Sequence, residues 1–437
     1  MSQSKKLFFF AFLLICSTQT RSDNLISIYQ QALQSDPQLK TAEYKVQIGN
    51  SQKGQALGQL LPQVSGTGNW SENNQVGYVA KGSNKSYSGT RYFVSLTQSV
   101  VDLAKFWAWR QSQEIENQYA SELIEAQHVL LFNVVQHYFG VLDAEDLLYV
   151  TQQEKQSTEN ELEQVKRQFS KKLIKITDLY EVEARLDQIK ADEIEAESLL
   201  VIAKEGLKEL TNNEHFNLEK LRDEIEYKEL EGKLEDWISI AKTENPLLAS
   251  QQSAIEAAKN NVAVQQSRYL PVLDLQLNYN DSNTGYQSTQ TPVYQTEIAA
   301  LNVTVPIFTG GTTTHRMHEA QTRLDMSHEE NEAKLRALVK ETSDAYTASN
   351  ANARRIKASI IALRSATKSR EAMQSGLKYG VSTAADLLRA QQAEYKSKRE
   401  LSRSKYAYII NRMRFLKAIG TINEDNLVEV NTWLTSN

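Results

Sequence analysis

The chain has 437 residues, of which 24% are charged, and its formal net charge is −5 at pH 7. This composition argues against a bundle of membrane-spanning helices, because no internal stretch approaches the roughly 20 consecutive apolar residues that such a helix needs. The slightly acidic balance also argues against nucleic acid as the main partner, since domains that bind DNA or RNA are usually basic.

The first 22 residues contain the most apolar segment of the chain. Lys5 and Lys6 precede the apolar run 7–16, and small or polar residues follow as far as Ser22. A charged start, a short apolar run and small residues at the exit are typical of a secretory signal peptide, whereas a membrane anchor would need a longer run. Cys16 is the alternative, a lipid-attachment site, but Ile15 is a poor residue before such a cysteine. We therefore expect residues 1–22 to be removed, which leaves an exported chain without disulfides.

Two short helices and two strands are predicted next. Asp36-Pro37 begins a helix that ends near Gln59, before Leu61-Pro62. From residue 63 to 70 apolar and polar residues alternate, which predicts a strand. A polar loop over 73–88 separates it from a second alternating segment at 91–97.

Two long helices follow. Apolar residues at steps of three, four and seven predict a helix over 103–170, which would be on the order of 100 Å long. The helical pattern restarts near Thr177-Asp178 and places apolar residues on heptad positions, with Glu193 as the interruption. A sustained heptad pattern indicates coiled-coil packing between the two helices.

The second half of the chain repeats these signals. AKTENP at 241–246 parallels ALQSDP at 32–37, and Leu270-Pro271 parallels Leu61-Pro62. Alternation at 273–280 and 298–307 predicts two strands around a polar loop, 281–293, and PIFTGG then leads into a long helix, 312–375. We interpret this as an internal duplication with an offset of about 208 residues. Residues 23–230 and 231–437 would then be the two structural repeats, each ordered helix, strand, strand, long helix, long helix.

Four strands are too few to close a barrel, which needs about eight. The aliphatic alternates of the third and fourth strands carry no charge, so that face is compatible with a bilayer, where every backbone polar group must be paired. We expect the strands to be one share of a barrel closed by several identical chains, twelve strands in a trimer. A soluble β-ribbon packed on helices is the alternative.

The long helices carry a narrow apolar stripe, whereas a compact core would need a wider one. Small and hydroxylated residues within the stripe favour helices packed side by side in a tube with a wet interior. An ordinary elongated coiled coil is the alternative.

Residues 375–388, with the sequence SGLKYGVSTAADLL, interrupt the helical pattern of the second half. Gly376 and Gly380 supply a stop and a turn, and the Ser382-Thr383 pair supplies a new N-cap before a helix that runs to Ile419. This segment is predicted to be the tip of a long helical hairpin.

Five segments resemble the TolC family of outer-membrane efflux channels. LTQSVVDLAKFW at 96–107 and VPIFTGG at 305–311 resemble the two strand-to-helix junctions of that family. ITDLYEVEARLD at 176–187 and GVSTAADLLRAQ at 380–391 resemble its two hairpin tips, and LKAIGTINEDNL at 416–427 is similar to the end of its last long helix. The resemblance covers essentially all of the chain after residue 22.

The resemblance implies a mainly α fold with a small β part. Long coiled-coil hairpins would form a trimeric α-barrel across the periplasm, and four strands per chain would contribute to a 12-stranded transmembrane β-barrel in the outer membrane of a Gram-negative bacterium. It implies a passive exit duct for small toxic compounds or for type I protein secretion, with no chemistry and no cofactor of its own. A periplasmic adaptor (membrane fusion) protein and an inner-membrane RND or ABC transporter would be the partners. An elongated periplasmic coiled-coil adaptor is the alternative function.

The resemblance also assigns a periplasmic gate to the two tips. Asp386 matches the first of two acidic residues, spaced i, i+3, that ring the opening in the family, but Arg389 stands at the second position. Arg389 is one helical turn away and could pair with Asp386, so we expect a less cation-selective opening than a double ring of acids gives.

The family's tip lock is only partly retained. Ser382 and Leu377 stand where an Arg and a Tyr hold the tip closed, whereas their partners on the neighbouring hairpin, Thr177 and Asp178, are present. The gate residues implied by the resemblance are Asp386, Arg389, Ser382, Leu377, Thr177, Asp178 and Gly380.

Catalytic and metal-binding patterns are weak. His315 and His318 are spaced i, i+3 on a helix, but the sequence places no third ligand near them. No phosphate-binding loop, dinucleotide fingerprint, nucleophile elbow or zinc spacing occurs. The sequence therefore does not favour an enzyme.

Overall fold

The computed structural model describes residues 23–75, 85–214, 216–222, 224–283 and 293–435. The expected signal peptide, residues 1–22, lies outside this range, and the expected polar loops at 73–88 and 281–293 lie partly outside it. Among the helices that the structure describes, none combines the length and the apolar character needed to cross a membrane.

The elements occur in two similar series, so the predicted internal duplication is confirmed. The first series is α1 (Leu25–Ser35), α2 (Pro37–Gly58), β1 (Gln63–Gln75), β2 (Lys85–Val101), α3 (Leu103–Ser170) and α4 (Ile176–Thr211), and a short strand β3 (Lys220–Leu221) follows. The second series is α5 (Leu234–Glu244), α6 (Pro246–Ser267), β4 (Val272–Asn283), β5 (Val293–Thr304), α7 (Thr312–Lys378) and α8 (Ala384–Ala418). The chain ends with α9 (Glu424–Asn431) and β6 (Leu434–Thr435).

The strands extend further into the polar segments than the sequence predicts. β1 runs to Gln75 and β2 begins at Lys85, inside the expected loop, and β4 runs to Asn283 with β5 starting at Val293. The backbone ladder continues through these polar residues because strand pairing uses N–H and C=O groups, which every non-proline side chain permits. The polar loops at 73–88 and 281–293 were therefore predicted too long.

A capping residue before a proline starts the second helix of each series. The Asp36 carboxylate accepts hydrogen bonds from the backbone N–H groups of Gln38 and Leu39, at 2.5 and 3.1 Å. The Asn245 side chain accepts one from Leu247 at 2.9 Å. Both caps satisfy otherwise orphaned donors, and the proline that follows each of them fits the first helical position. The parallel between ALQSDP and AKTENP is therefore structural.

The described residues form two compact units, which do not coincide with the repeats proposed from the sequence. Within the described ranges, one unit comprises residues 23–35, 134–226 and 424–435, and the other comprises residues 36–133 and 227–423. The repeat boundaries at 230/231 remain a prediction.

In the first unit, α1, α4, α9 and the second part of α3 enclose an apolar core. Tyr138 is fully buried, and its hydroxyl donates to the backbone carbonyls of Asp23 and Glu219, at 3.2 and 3.0 Å. Along the α3–α4 hairpin, ion pairs join Lys155 to Glu193, at 2.6 Å, and Arg185 to Glu154. The remaining core comes from Leu25, Ile28, Val134, Phe139, Val182, Ile189 and Leu207.

In the second unit, β1, β2, β4 and β5 form one antiparallel sheet in the order β1-β2-β4-β5. The strands β1 and β5 are its edges. The register aligns Val64 with Leu96, Leu96 with Leu277, and Leu277 with Ala299. Side chains in one such row lie on the same face of a sheet, so the register fixes which residues share each face.

The helices α7 and α8 of the same unit pack through a seam that includes polar residues. Thr342 and Ser349 are fully buried beside Leu338 and Ala345. The Thr342 hydroxyl donates to the Leu338 carbonyl one turn earlier, at 2.8 Å, so it needs no partner from the facing helix. The thin seam expected from the sequence is therefore present.

The end of α8 is fixed by close packing against the start of α6. Gly420 has φ +76°, a left-handed conformation that residues with a Cβ rarely adopt. A Cβ there would lie 2.6 Å from the Glu244 carbonyl oxygen and 2.7 Å from the Asn245 Cα. The Asn245 amide also donates to the Ala418 carbonyl at 2.9 Å.

We expect Gly420→Ala to lower the stability of the protein by at least about 2 kcal/mol, because it adds backbone strain and a clash with the backbone. Gly54→Ala is the matched control, since nothing lies within 4 Å of a Cβ at that helical site. It should be neutral or stabilising by up to about 1 kcal/mol. Thermal unfolding of the purified protein, followed by circular dichroism, measures both, and equal Tm values for the two variants would contradict this packing.

Candidate functional site

The tip of the α7–α8 hairpin is held by a reciprocal cap at Thr383. The Asp386 backbone N–H donates to the Thr383 hydroxyl oxygen at 3.1 Å. The Thr383 hydroxyl and backbone N–H in turn donate to the Asp386 carboxylate, at 2.7 and 3.1 Å. This capping box starts α8 at Ala384, directly after the Ser382-Thr383 pair that the sequence offers as the N-cap.

Asp386 and Arg389 form an ion pair, as their spacing predicts. The Arg389 Nη2 atom lies 3.0 Å from Asp386 Oδ1, and the two side chains are 71% and 41% exposed. Hydrogen bonds from the side chain and the backbone of Thr383, together with the charge of Arg389, lower the pKa of Asp386. This carboxylate therefore stays ionised to a lower pH than an ordinary aspartate.

The turn before the cap explains the two glycines. Gly380 has φ +74°, and the Val381 N–H donates to the Gly376 carbonyl at 2.9 Å. Ser382 packs against Gly376, and its hydroxyl donates to the Met373 sulfur at 3.7 Å. Leu377 is half-buried. Ser382 and Leu377 are therefore parts of the turn itself.

The tip of the α3–α4 hairpin, in the other compact unit, has a looser version of the same geometry. Lys172 takes φ +60°, at the position that corresponds to Gly380. The Asp178 carboxylate accepts from the Lys175 N–H at 3.4 Å, a longer bond than that at Thr383. Thr177 is exposed in the first turn of α4. Lysine rarely adopts a left-handed conformation, so this tip holds local strain that the second tip avoids.

Both tips also expose apolar side chains that sequence reasoning did not single out. Leu173 and Tyr180 are 70% and 59% exposed on the first tip, and Tyr379 and Val381 are 78% and 81% exposed on the second. Their only signal in the sequence is the presence of large apolar residues beside turn-forming glycines and lysines.

The four-stranded sheet has one apolar and one polar face. On the apolar face Val64, Leu301 and Val303 are 62–68% exposed, and Trp70 packs edge-on against Tyr92 with ring centroids 5.7 Å apart. Exposed apolar surface of this extent indicates contact with lipid or with another protein.

Side-chain hydrogen bonds link the strands on the polar face. Asn302 donates to Gln276 at 3.1 Å, and Ser95 donates to Asn278 at 2.8 Å. At the end nearest the helices Ser99 donates to Asp274 at 2.9 Å. Water and polar solutes can contact this face, so its polar side chains are not left buried without a hydrogen-bond partner.

The histidine pair considered in the sequence lies on the surface of α7. His315 and His318 are exposed on α7. Within the residues that the structure describes, no group of three or more histidine, cysteine, aspartate or glutamate side chains is arranged to hold a metal ion.

Comparison with known proteins identifies a family. The family model described as "Outer membrane efflux protein" matches residues 28–213 and 237–421, one match in each half of the chain. Outer membrane protein TolC of Vibrio cholerae is 29% identical, over 99% of this chain and 99% of that protein. The alkaline protease secretion protein AprF of Pseudomonas aeruginosa is 28% identical, over 96% of this chain and 89% of that protein.

The fold is also similar to a solved structure. The crystal structure of the CmeC outer membrane channel of Campylobacter jejuni superposes with a TM-score of 0.82 and 18% sequence identity, covering 94% of this chain and 90% of that one. The predicted fold class, long helical hairpins with a small β part, is therefore confirmed.

Thr383→Ala should loosen the start of α8. Loss of an N-cap costs about 1 kcal/mol, which corresponds to roughly fivefold faster amide exchange in the first turn. Ser382→Ala is the control, because the neighbouring hydroxyl accepts no hydrogen bond from a helix N–H. Hydrogen exchange measured by mass spectrometry on peptides covering 380–392 makes the comparison. The same exchange rate in both variants would show that the capping box does not hold the tip.

Proposed function

We propose that this chain, which belongs to the outer membrane efflux protein family, works as a homotrimeric passive exit duct. Membership of the family makes it an outer-membrane channel of the efflux and type I secretion class, with a periplasmic helical domain. TolC-like channels are generally trimers that work with adaptors and inner-membrane pumps. In this proposal the chain supplies a path and the partners supply the energy.

The observation that carries this proposal is the open sheet. Its edges, β1 and β5, are 13 and 12 residues long, and each edge carries a row of backbone groups that need partners in a bilayer. Four antiparallel strands place β1 and β5 in opposite directions, so β5 of one copy can pair antiparallel with β1 of the next. Three copies would close twelve strands.

The two faces of the sheet support the same arrangement. In a closed barrel the apolar face with Val64, Leu301 and Val303 would meet lipid, and the polar face with Asn278 and Gln276 would line the water-filled interior. The side-chain hydrogen bonds on the polar face would then hold the strands in register from inside.

The proposed partners are a periplasmic adaptor protein and an inner-membrane transporter of the RND or ABC type. The cargo would be small toxic compounds or secreted proteins. Deleting the gene and measuring both drug sensitivity and the secreted proteome separates these cargoes: drug sensitivity alone indicates efflux, and loss of one secreted protein indicates type I secretion.

We place both hairpin tips at the periplasmic opening. Three Asp386 carboxylates around a narrow pore attract cations, and the Arg389 partner of each one offsets that attraction. The resemblance to the family assigns Thr177, Asp178, Ser382, Leu377 and Gly380 to the same gate. The gate contacts of Thr177 and Asp178 with a neighbouring hairpin remain a prediction.

Fractionation tests the proposal most simply. The protein should be found in the outer-membrane fraction and migrate as a trimer that dissociates on heating. A soluble periplasmic monomer would refute the proposal and favour the coiled-coil adaptor.

Arg389→Gln should raise the cation-over-anion permeability ratio of the reconstituted channel by about twofold to fivefold, the range expected for removing one exposed partner charge. Asp386→Asn should lower the ratio. Because the pKa of Asp386 is lowered, the cation preference should persist below about pH 4, where ordinary aspartates protonate, and be lost only as pH falls further. Reversal potentials in a salt gradient measure all three effects.

Arg336→Gln is the control, since it removes the same charge from an exposed pair with Glu332 on α7. Strong cation selectivity in the native protein, unchanged by Arg389→Gln, would contradict the assigned role of the pair.

A further inference from the structure

We propose that Arg268 and Arg316 form an anion-binding site where the polar face of the sheet meets the helices, and that it binds a carboxylate or phosphate group of a soluble solute. Its role inside a duct rests on the proposed function, but binding itself does not. The sequence gives no local signal for this site, because the two arginines are far apart in the chain and lie on different helices.

The two arginines line a cleft of about 540 Å³ at the base of the sheet. Arg268 caps the C-terminus of α6, and Arg316 lies in the second turn of α7. Both also line a neighbouring cleft of about 300 Å³ between α6 and α7. A guanidinium group from each helix therefore borders both clefts.

The larger cleft opens on the polar side of the sheet. Val272 and Thr304 line it, and they are cross-strand partners in the register of β4 and β5. Each lies an even number of residues from Asp274 or Asn302, so both share the polar face. Lys105 also lines the cleft, and its ammonium group contacts the Ser99 hydroxyl at 2.5 Å.

The charges near the site leave these two arginines available. Lys105 lies 3.7 Å from the Asp102 carboxylate, and Arg323, in the smaller cleft, pairs with Glu319 at 2.8 Å. Asp274 accepts the hydrogen bond from Ser99. Among the residues that the structure describes, no carboxylate forms an ion pair with Arg268 or Arg316. The local excess of positive charge therefore resides on these two side chains.

The chemistry of the pair selects the ligand. A guanidinium presents planar donors that match the oxygens of a carboxylate or phosphate, and such charge-assisted hydrogen bonds are short and strong. The hydroxyls of Thr304 and Thr312 line the same cleft and can donate to further oxygens. A monovalent spherical ion such as chloride would use fewer of these donors.

In a trimer the site would occur three times around the channel interior. It is opposite in sign to the Asp386 carboxylates of the α7–α8 tip. The duct would then hold a cation-attracting group at one position and an anion-attracting group at another, so zwitterionic or anionic solutes would gain a binding step that a purely acidic channel lacks.

Isothermal titration of the purified full-length protein with citrate and with inorganic phosphate tests the proposal. One anion should bind per chain, and Arg268→Gln with Arg316→Gln should weaken binding by about 10-fold to 100-fold, the range for losing charged hydrogen bonds. Arg336→Gln, which removes one positive charge from α7 outside both clefts, should leave the affinity unchanged. Circular dichroism verifies that each variant is folded.

Three results would overturn the proposal: no binding of either anion, equal affinity in the double variant, or binding of anionic lipid but of neither soluble anion. The last would place the arginines on the lipid side. If the protein is a soluble monomer that binds the anion, the proposed duct is refuted and the anion site is supported. If the protein is a conducting trimer that binds no anion, the anion site is refuted and the proposed duct is supported.

Discussion

The unpaired edges of the four-stranded sheet are the constraint on which the rest of the protein depends. A row of backbone donors and acceptors along β1 and another along β5 cannot be left open in hydrocarbon, and four strands are too few to close on themselves. The proposed association of several identical chains would resolve both problems at once. It would also give each face of the sheet a defined environment, with the exposed side chains of Val64 and Leu301 towards lipid and the Asn302–Gln276 and Ser95–Asn278 bonds towards water.

The packing of the helical hairpins also favours association with neighbouring helices around a wet interior. Buried Thr342 and Ser349 make a seam too thin for a compact core, and the Thr342 hydroxyl is satisfied within its own helix. Charged contacts reinforce the hairpins, as where Glu394, 5% exposed, accepts from Arg370 at 2.8 Å. Such helices have a narrow apolar stripe for their neighbours and polar surface elsewhere. This suits the wall of a water-filled tube.

Much of this was predictable because it depends on local patterns. Alternation from Gln63 to Trp70 gave the first strand, the spacing of Asp386 and Arg389 gave their ion pair, and the Ser382-Thr383 pair gave the start of α8 within a residue. The extent of the strands was not predictable, because backbone pairing continues through polar residues such as Asn74 and Ser282. The residue type at Lys172 does not signal its left-handed conformation, since lysine rarely takes it; the one indication is that the internal repeat aligns Lys172 with Gly380. The cleft between Arg268 and Arg316 depends on tertiary packing of separate elements, which no periodicity in the sequence records.

Disulfide trapping between β1 and β5 tests the central claim most directly, because Cys16 is the one cysteine of the chain. Val303→Cys on β5 would be combined in turn with a single cysteine at each position from 63 to 70 on β1. A disulfide needs Cα atoms within about 7 Å, so only the true register can form it. The account predicts that one narrow set of pairs gives covalent dimers and trimers in the outer membrane, with no larger species. Absence of cross-links at every position, or a series that ends at two chains, would contradict a barrel closed by three copies.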